Sequence, residues 1–249
     1  MEMQWKLVAV GIVLLGGILI LGIWSAATAT ASARSEYRYE VLLSTDKPVN
    51  NLTLILPFPQ GPHTEELISA VLFRNFSGGE ENWRCMLLEN RKALMLKLEV
   101  PHLDPYPLQT PVPLSEMQER RQENQEQQDS RYVPPFTITR ETSHSIATTD
   151  PRGSEPLLSL KENATPVTCP SPVPQQSLIR CFTEKTVLYA DYSADPGTQL
   201  SVIVTFSGSN SRWWLGWSSD SYQEELNASF SVERQGWQEV DLRRVQGVG

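Results

Sequence analysis

The sequence predicts a mainly β protein. One N-terminal transmembrane helix is followed by an antiparallel β-sandwich-like extracytoplasmic domain with a disordered Pro/Gln-rich insertion. Three observations predict it. Leu7–Trp24 is an unbroken run of 18 apolar residues. About nine short segments alternate apolar and polar residues, with no helical pattern between them. Between Pro101 and Pro174 lie 13 of the chain's 18 prolines, which bars long helices and central strands from most of that stretch.

As a helix rising ~1.5 Å per residue, Leu7–Trp24 would span roughly 27 Å, close to the hydrocarbon thickness of a bilayer. It has no polar face to meet water. The run is longer than the apolar core of a signal peptide, although Ala27-Thr28-Ala29 and Ala31-Ser32-Ala33 resemble cleavage sites. An uncleaved anchor is the preferred reading and a cleaved signal the alternative; both export the rest of the chain. Lys6 and the terminal amine favour a cytoplasmic segment 1–6. Residues 25–36 then form a linker, and 37–249 an extracytoplasmic β domain interrupted by a low-complexity insertion over 101–131.

The strands are read in chain order. Tyr37, Tyr39, Val41 and Leu43 share one face; Asp46–Asn50 turns the chain, and Leu52, Leu54 and Leu56 share the next. Thr64-Glu65-Glu66 opens a short helix to about Phe73, its acids suited to the positive end of the dipole. Trp83–Leu88 and Ala93–Val100 read as a hairpin. Glu116–Ser130 has Met117 as its sole apolar residue and no stripe with which to dock. Strand character returns at Phe136–Arg140, Lys185–Asp191, Gln199–Phe206, Glu225–Glu233 and Trp237–Leu242. Neither half of this set would make a secure domain alone, so one shared core is expected.

A net charge of −8 and a pI near 5.0 argue against nucleic acid and against anionic lipid surfaces as partners. Cys169 and Cys181 bracket a proline-rich segment and are the favoured disulfide pair, with Cys85 read as a small buried hydrophobe. Asn51, Asn75, Asn163 and Asn227 each begin an Asn-x-Ser/Thr glycosylation sequon. Asn227 lies on the polar side of the alternation Leu226, Ala228, Phe230, Val232.

Catalytic patterns are weak. His63, His102 and His144 have no partner at zinc-site spacing and read as surface loop residues. Ser44-Thr-Asp-Lys47 has the Ser-x-x-Lys spacing of penicillin-binding enzymes, but Pro48 and a turn context argue against it. Asp191–Gly197 starts like a calcium loop, with Pro196 where glycine is required and Val202 where a glutamate should close the site. No cofactor, metal or catalytic residue is assigned. The aromatic group Trp213, Trp214 and Trp217, with Tyr222 nearby, is the favoured binding surface. The default reading is a cap on one end of the sandwich core; exposed, the cluster would meet a membrane interface or a partner, or stack on sugars. Trp213 and Trp214, being adjacent, would point to opposite faces of a strand.

The segments TTDPRGSEPLL (Thr148–Leu158), YADYSAD (Tyr189–Asp195) and GSNSRWWLGW (Gly208–Trp217), with Tyr222 and Gly236-Trp237, resemble recurring elements of uncharacterised archaeal membrane-anchored envelope proteins. The resemblance implies an N-terminal hydrophobic segment, an all-β exported domain and a place in the cell membrane; it carries no known activity. The function expected is a single-pass membrane protein whose β domain binds or scaffolds an envelope protein or glycan. An exported hydrolase is the alternative. Paired buried carboxylates in a deep cleft would favour the enzyme, and an exposed tryptophan edge would favour binding.

Overall fold

The computed structural model describes residues 16–17, 22, 31–74, 76–78, 82–90, 93–105, 135–159, 164–169, 179–213 and 216–248. Among these residues it has ten strands and one short helix. In chain order they are β1 (Arg34–Thr45), β2 (Val49–Pro57), α1 (Thr64–Leu72), β3 (Arg84–Asn90), β4 (Ala93–Leu103) and β5 (Phe136–Thr142). Then come β6 (Thr165–Val167), β7 (Arg180–Ala194), β8 (Gln199–Trp213), β9 (Trp217–Ser231) and β10 (Gly236–Val248). The strand-like segments of the sequence each overlap one of these strands, but the later strands run longer: β7 begins five residues before Lys185, β8 ends seven after Phe206, β9 begins eight before Glu225 and β10 ends six after Leu242.

All ten strands belong to one sheet, in the order β3-β4-β2-β7-β10-β9-β8-β1-β5 with β6 beside β7. Every pairing is antiparallel. Strands of 13–15 residues from β7 to β10 give the sheet length over which its twist accumulates. It curls into a half-barrel. Helix α1 packs against both β3 and β5, the two ends of the strand order, and so fills the opening. Beyond it, Ser77 pairs with Thr137 and the Phe76 ring lies 4.8 Å from that of Phe136. One core results, drawn from strands on both sides of residues 106–134, as the shared-core argument requires.

Two parts of the expected fold class need correction. The domain is a single continuous sheet, not two stacked ones, because β10 pairs with β7 along one edge and with β9 along the other. The expected transmembrane helix is also unsupported: among the described residues no helix is long and apolar enough to cross a membrane. Of Leu7–Trp24, only Gly16, Gly17 and Gly22 fall within the described residues. The strand region begins at Arg34, inside the expected linker, and β4 runs to Leu103, inside the expected insertion. From residue 106 to its end at 131 that insertion lies outside the described residues. Two strands do form between Pro101 and Pro174: β5 ends the sheet, and β6 is a three-residue strand flanking β7. Both positions suit proline-rich chain.

Cys169 and Cys181 form the expected disulfide, with Cα atoms 5.3 Å apart. It ties the end of β6 to the start of β7, where Val167 already lies opposite Cys181. Cys85 is a free thiol packed against the core, and burial pushes its pKa up.

Candidate functional site: an exposed hairpin tip and a buried polar strap

The β8–β9 hairpin pairs without interruption from Gln199 opposite Ser231 to Trp213 opposite Trp217. Its tip is therefore an aromatic pair. Trp213 is half-buried and Trp217 is 72% exposed. The incoming chain is fastened to this tip: the Trp213 N–H donates to Ser32 Oγ at 2.9 Å, and that hydroxyl donates to the Trp213 carbonyl at 3.2 Å. Exposed Arg34 and Arg212 stand beside it, Arg34 directly opposite Ser211. Trp214 lies outside the described residues.

Tyr222 does not belong to this surface. It is fully buried on the concave face, its ring 6.1 Å from that of Phe206. Gly208 lies directly opposite, where a Cβ would stand 2.5 Å from the Tyr222 ring. The glycine lets the ring lie flat across β8, so its hydroxyl reaches the Pro156 carbonyl at 2.7 Å. Sequence proximity to the tryptophans misplaced this residue. Five residues beyond Trp217, the strand has already entered the core.

Pro156 belongs to a strap, residues 143–159, laid over the concave face. The strap has almost no regular structure, so beyond a bridge between Leu157 and Gln60 and the Gly247 N–H on the Thr148 carbonyl, side chains of the sheet satisfy its backbone. Asn210 accepts from the Ile146 N–H at 2.8 Å and donates to the Ile146 carbonyl at 2.9 Å, as a neighbouring strand would. Asn210 also donates to Asp220 at 3.0 Å, and Thr148 donates to the same carboxylate. Glu155 accepts from the Ala147 N–H at 2.8 Å and from the Tyr37 hydroxyl. The single Tyr37 proton is thus committed to Glu155, which assigns His144 Nε2–H as donor to the Tyr37 oxygen at 3.0 Å. His144 Nδ1 then accepts from Thr142 at 2.6 Å. Burial and the Glu155 carboxylate hold the Tyr37 hydroxyl well above its ordinary pKa, so it stays a donor. His63 stacks on His144 with ring centroids 3.9 Å apart, a pairing that lone surface histidines did not suggest.

At the far end of the strap sits a buried triad. Arg244 donates to Glu224 at 2.7 Å, to Glu184 at 3.0 Å and to the Ser159 carbonyl at 3.2 Å. Glu224 also accepts the Leu158 N–H, and Glu184 accepts the Ser159 hydroxyl at 3.0 Å. One guanidinium serves two carboxylates, and all three side chains are sealed from water. Burial pushes the Glu224 pKa to about 7, with the Arg244 charge and the Leu158 N–H pulling the other way. A carboxyl whose folded pKa lies above its ordinary 4.5 contributes stability that is full below pH 4.5 and is lost as pH rises through about 7. The difference in unfolding free energy between the wild type and Glu224→Gln should therefore shift against the wild type across that window. Parallel stability profiles for the two proteins would remove Glu224 as its cause.

These paired carboxylates are buried beneath the strap and spent on Arg244. The other sequence candidates are scattered. Lys47 donates to the Pro196 carbonyl, while Ser44 lies buried in β1. Asp191 lies in β7 opposite Thr53, and Asp195 caps the β7–β8 turn by accepting from Thr198. His102 contacts Asn50 and Asp104. Asn227 is exposed on the convex face as expected; Asn51 is exposed at the start of β2; Asn75 and Asn163 lie outside the described residues.

No family model, curated protein or solved structure matches this chain. Two of the segments singled out in the sequence, Thr148–Leu158 and Gly208–Trp217, lie close together in the fold. Thr148–Leu158 is most of the strap, and Gly208 with Tyr222 is the seat on which Pro156 rests.

Proposed function

We propose that this is a non-enzymatic, exported β domain that works at a membrane surface of the cell envelope, in contact with lipid through the β8–β9 hairpin tip. The observation that carries the reading is Trp217, 72% exposed at the place where Ser32 fastens the incoming chain. Ser32 stands eight positions after Trp24, the last residue of the apolar run. A chain that short reaches at most about 28 Å, so the tip stays close to wherever the apolar run resides. An indole suits the polar–apolar boundary of a bilayer, since its ring is apolar and its N–H seeks a partner. Arg34 and Arg212 on the same end suit headgroup phosphates. The disulfide fits an oxidising, extracytoplasmic compartment.

The full chain reconstituted into phosphatidylcholine vesicles with brominated acyl chains tests this. Bromine quenches only indoles at the bilayer boundary. Trp217→Phe should remove part of the quenched emission. Trp237→Phe should leave it unchanged, because Trp237 is 59% exposed at the opposite end of β9 and β10. Equal effects of the two substitutions would overturn the reading.

A further inference from the structure

The edge of the sheet farthest along from the hairpin holds a cleft of about 620 Å³, formed where β2, β4 and β3 meet the end of α1. Its size falls within the range of small-ligand sites, about 300–1,000 Å³. We infer that this cleft binds a small carboxylated sugar, with Arg74 and Arg84 holding the carboxylate and Asn51 and Asn82 the hydroxyls. The inference is independent of the hairpin tip.

The charge distribution supports an anion. Thr53, Glu99 and Arg84 lie opposite one another across three strands and form one wall of the cleft. Lys97 engages the Glu99 carboxylate at 2.6 Å and, with Arg84 nearby, holds its pKa below the usual range. Glu99 is thus already neutralised by a lysine outside the lining. Among the described residues neither Arg74 nor Arg84 makes an ion pair. In a chain of net charge −8 this cleft presents two guanidiniums that form no salt bridge with a described carboxylate.

The backbone gives a second, separate reason. Arg74 has φ 51° and follows the Phe73 cap of α1, a position where the left-handed conformation usually falls to glycine. Asn51, across the cleft, has φ 52°. Asparagine tolerates that region and arginine does so poorly. An arginine kept where glycine would relieve the chain points to a use for its side chain. The competing explanation is a cation beside the negative end of the helix dipole.

Lining chemistry sets the ligand class. A guanidinium fork matches the two oxygens of a carboxylate. The Asn51 and Asn82 amides and the Thr53 hydroxyl both donate and accept, as sugar hydroxyls do. Bare phosphate, with only one or two hydroxyl donors near neutral pH, would leave most of their acceptors unused. Trp83 lines the cleft but is buried, so it offers no open face for an apolar ligand.

Titration calorimetry on the full chain tests the assignment, with protein made in a host that does not modify Asn51. The probes are D-glucuronate, methyl glucoside and inorganic phosphate. Glucuronate should bind, and the glucoside should bind about tenfold more weakly or worse, having lost the charge-assisted contacts. Arg74→Gly and Arg84→Gln should each weaken glucuronate binding by about tenfold or more, while Arg74→Gly leaves the melting temperature unchanged or raised. Absence of glucuronate binding would overturn the inference. Unchanged binding in both variants would assign Arg74 to the helix dipole and overturn it equally. Phosphate binding as tight as glucuronate would leave an anion site and sink the sugar.

Discussion

Arg244→Ala is expected to cost about 3–5 kcal/mol of folding stability near neutral pH, measured by chemical denaturation. The reason lies in what remains. Arg244 is 2% exposed and neutralises Glu184 and Glu224, which are equally cut off from water. Alanine leaves two carboxylates side by side beneath the strap, with a void where the guanidinium lay. The Ser159 carbonyl loses a donor as well. Part of the loss should return on acidification, since protonated carboxyls no longer repel and need no counter-charge. Joint replacement of Arg244, Glu184 and Glu224 by apolar residues of similar volume should recover most of it, because a buried ion cluster gains little net stability over a well-packed apolar one. A loss below about 1 kcal/mol for Arg244→Ala would show that water reaches the triad and that the strap is not a seal.

The triad also marks where sequence reasoning stops. Strands were legible because alternation has a period of two, and the core faces Tyr37-Tyr39-Val41-Leu43 and Leu52-Leu54-Leu56 stand out from their neighbours. The disulfide was legible because Cys169 and Cys181 bracket a short proline-rich loop. Arg244 and Glu224 were legible in principle. Glu224 occupies the inward step of Tyr222-Glu224-Leu226-Ala228-Phe230, and Arg244 follows Leu242 on the same side of β10. A charge at an inward step demands a partner, but starting the strand at Glu225 hid the first of these. The strap was illegible for a different reason. Its segment Thr148–Leu158 has no period: beyond the bridge between Leu157 and Gln60 and the Gly247 N–H on the Thr148 carbonyl, it bonds to the side chains of Asp220, Glu224 and Tyr222 on β9. The curl of the sheet was hidden likewise: it depends on β10 choosing β7 and β9 as partners, and both offer the same alternating pattern.

Tyr222 and Trp217, five residues apart on one strand, should respond to truncation in opposite ways. Tyr222→Ala is expected to cost on the order of 3–5 kcal/mol, as loss of a large buried ring does. The ring fills the space that Gly208 leaves open, packs on Phe206 and holds the strap through Pro156. Alanine leaves a cavity that β8 cannot collapse into without breaking its pairing with β1 on the other side. Tyr222→Phe isolates the strap contact, keeping the ring and leaving the Pro156 carbonyl without its donor, for about 1–3 kcal/mol. Trp217→Ala should lie within about 0.5 kcal/mol of the wild type, since most of its ring already faces water. Its loss should show instead in the lipid-quenching signal. The tyrosine is thus expected to hold the hairpin to the strap while the tryptophan works beyond it. Comparable destabilisation by Tyr222→Ala and Trp217→Ala in urea titrations would mean that the tip is folded back onto the domain, and would end the argument for a surface there.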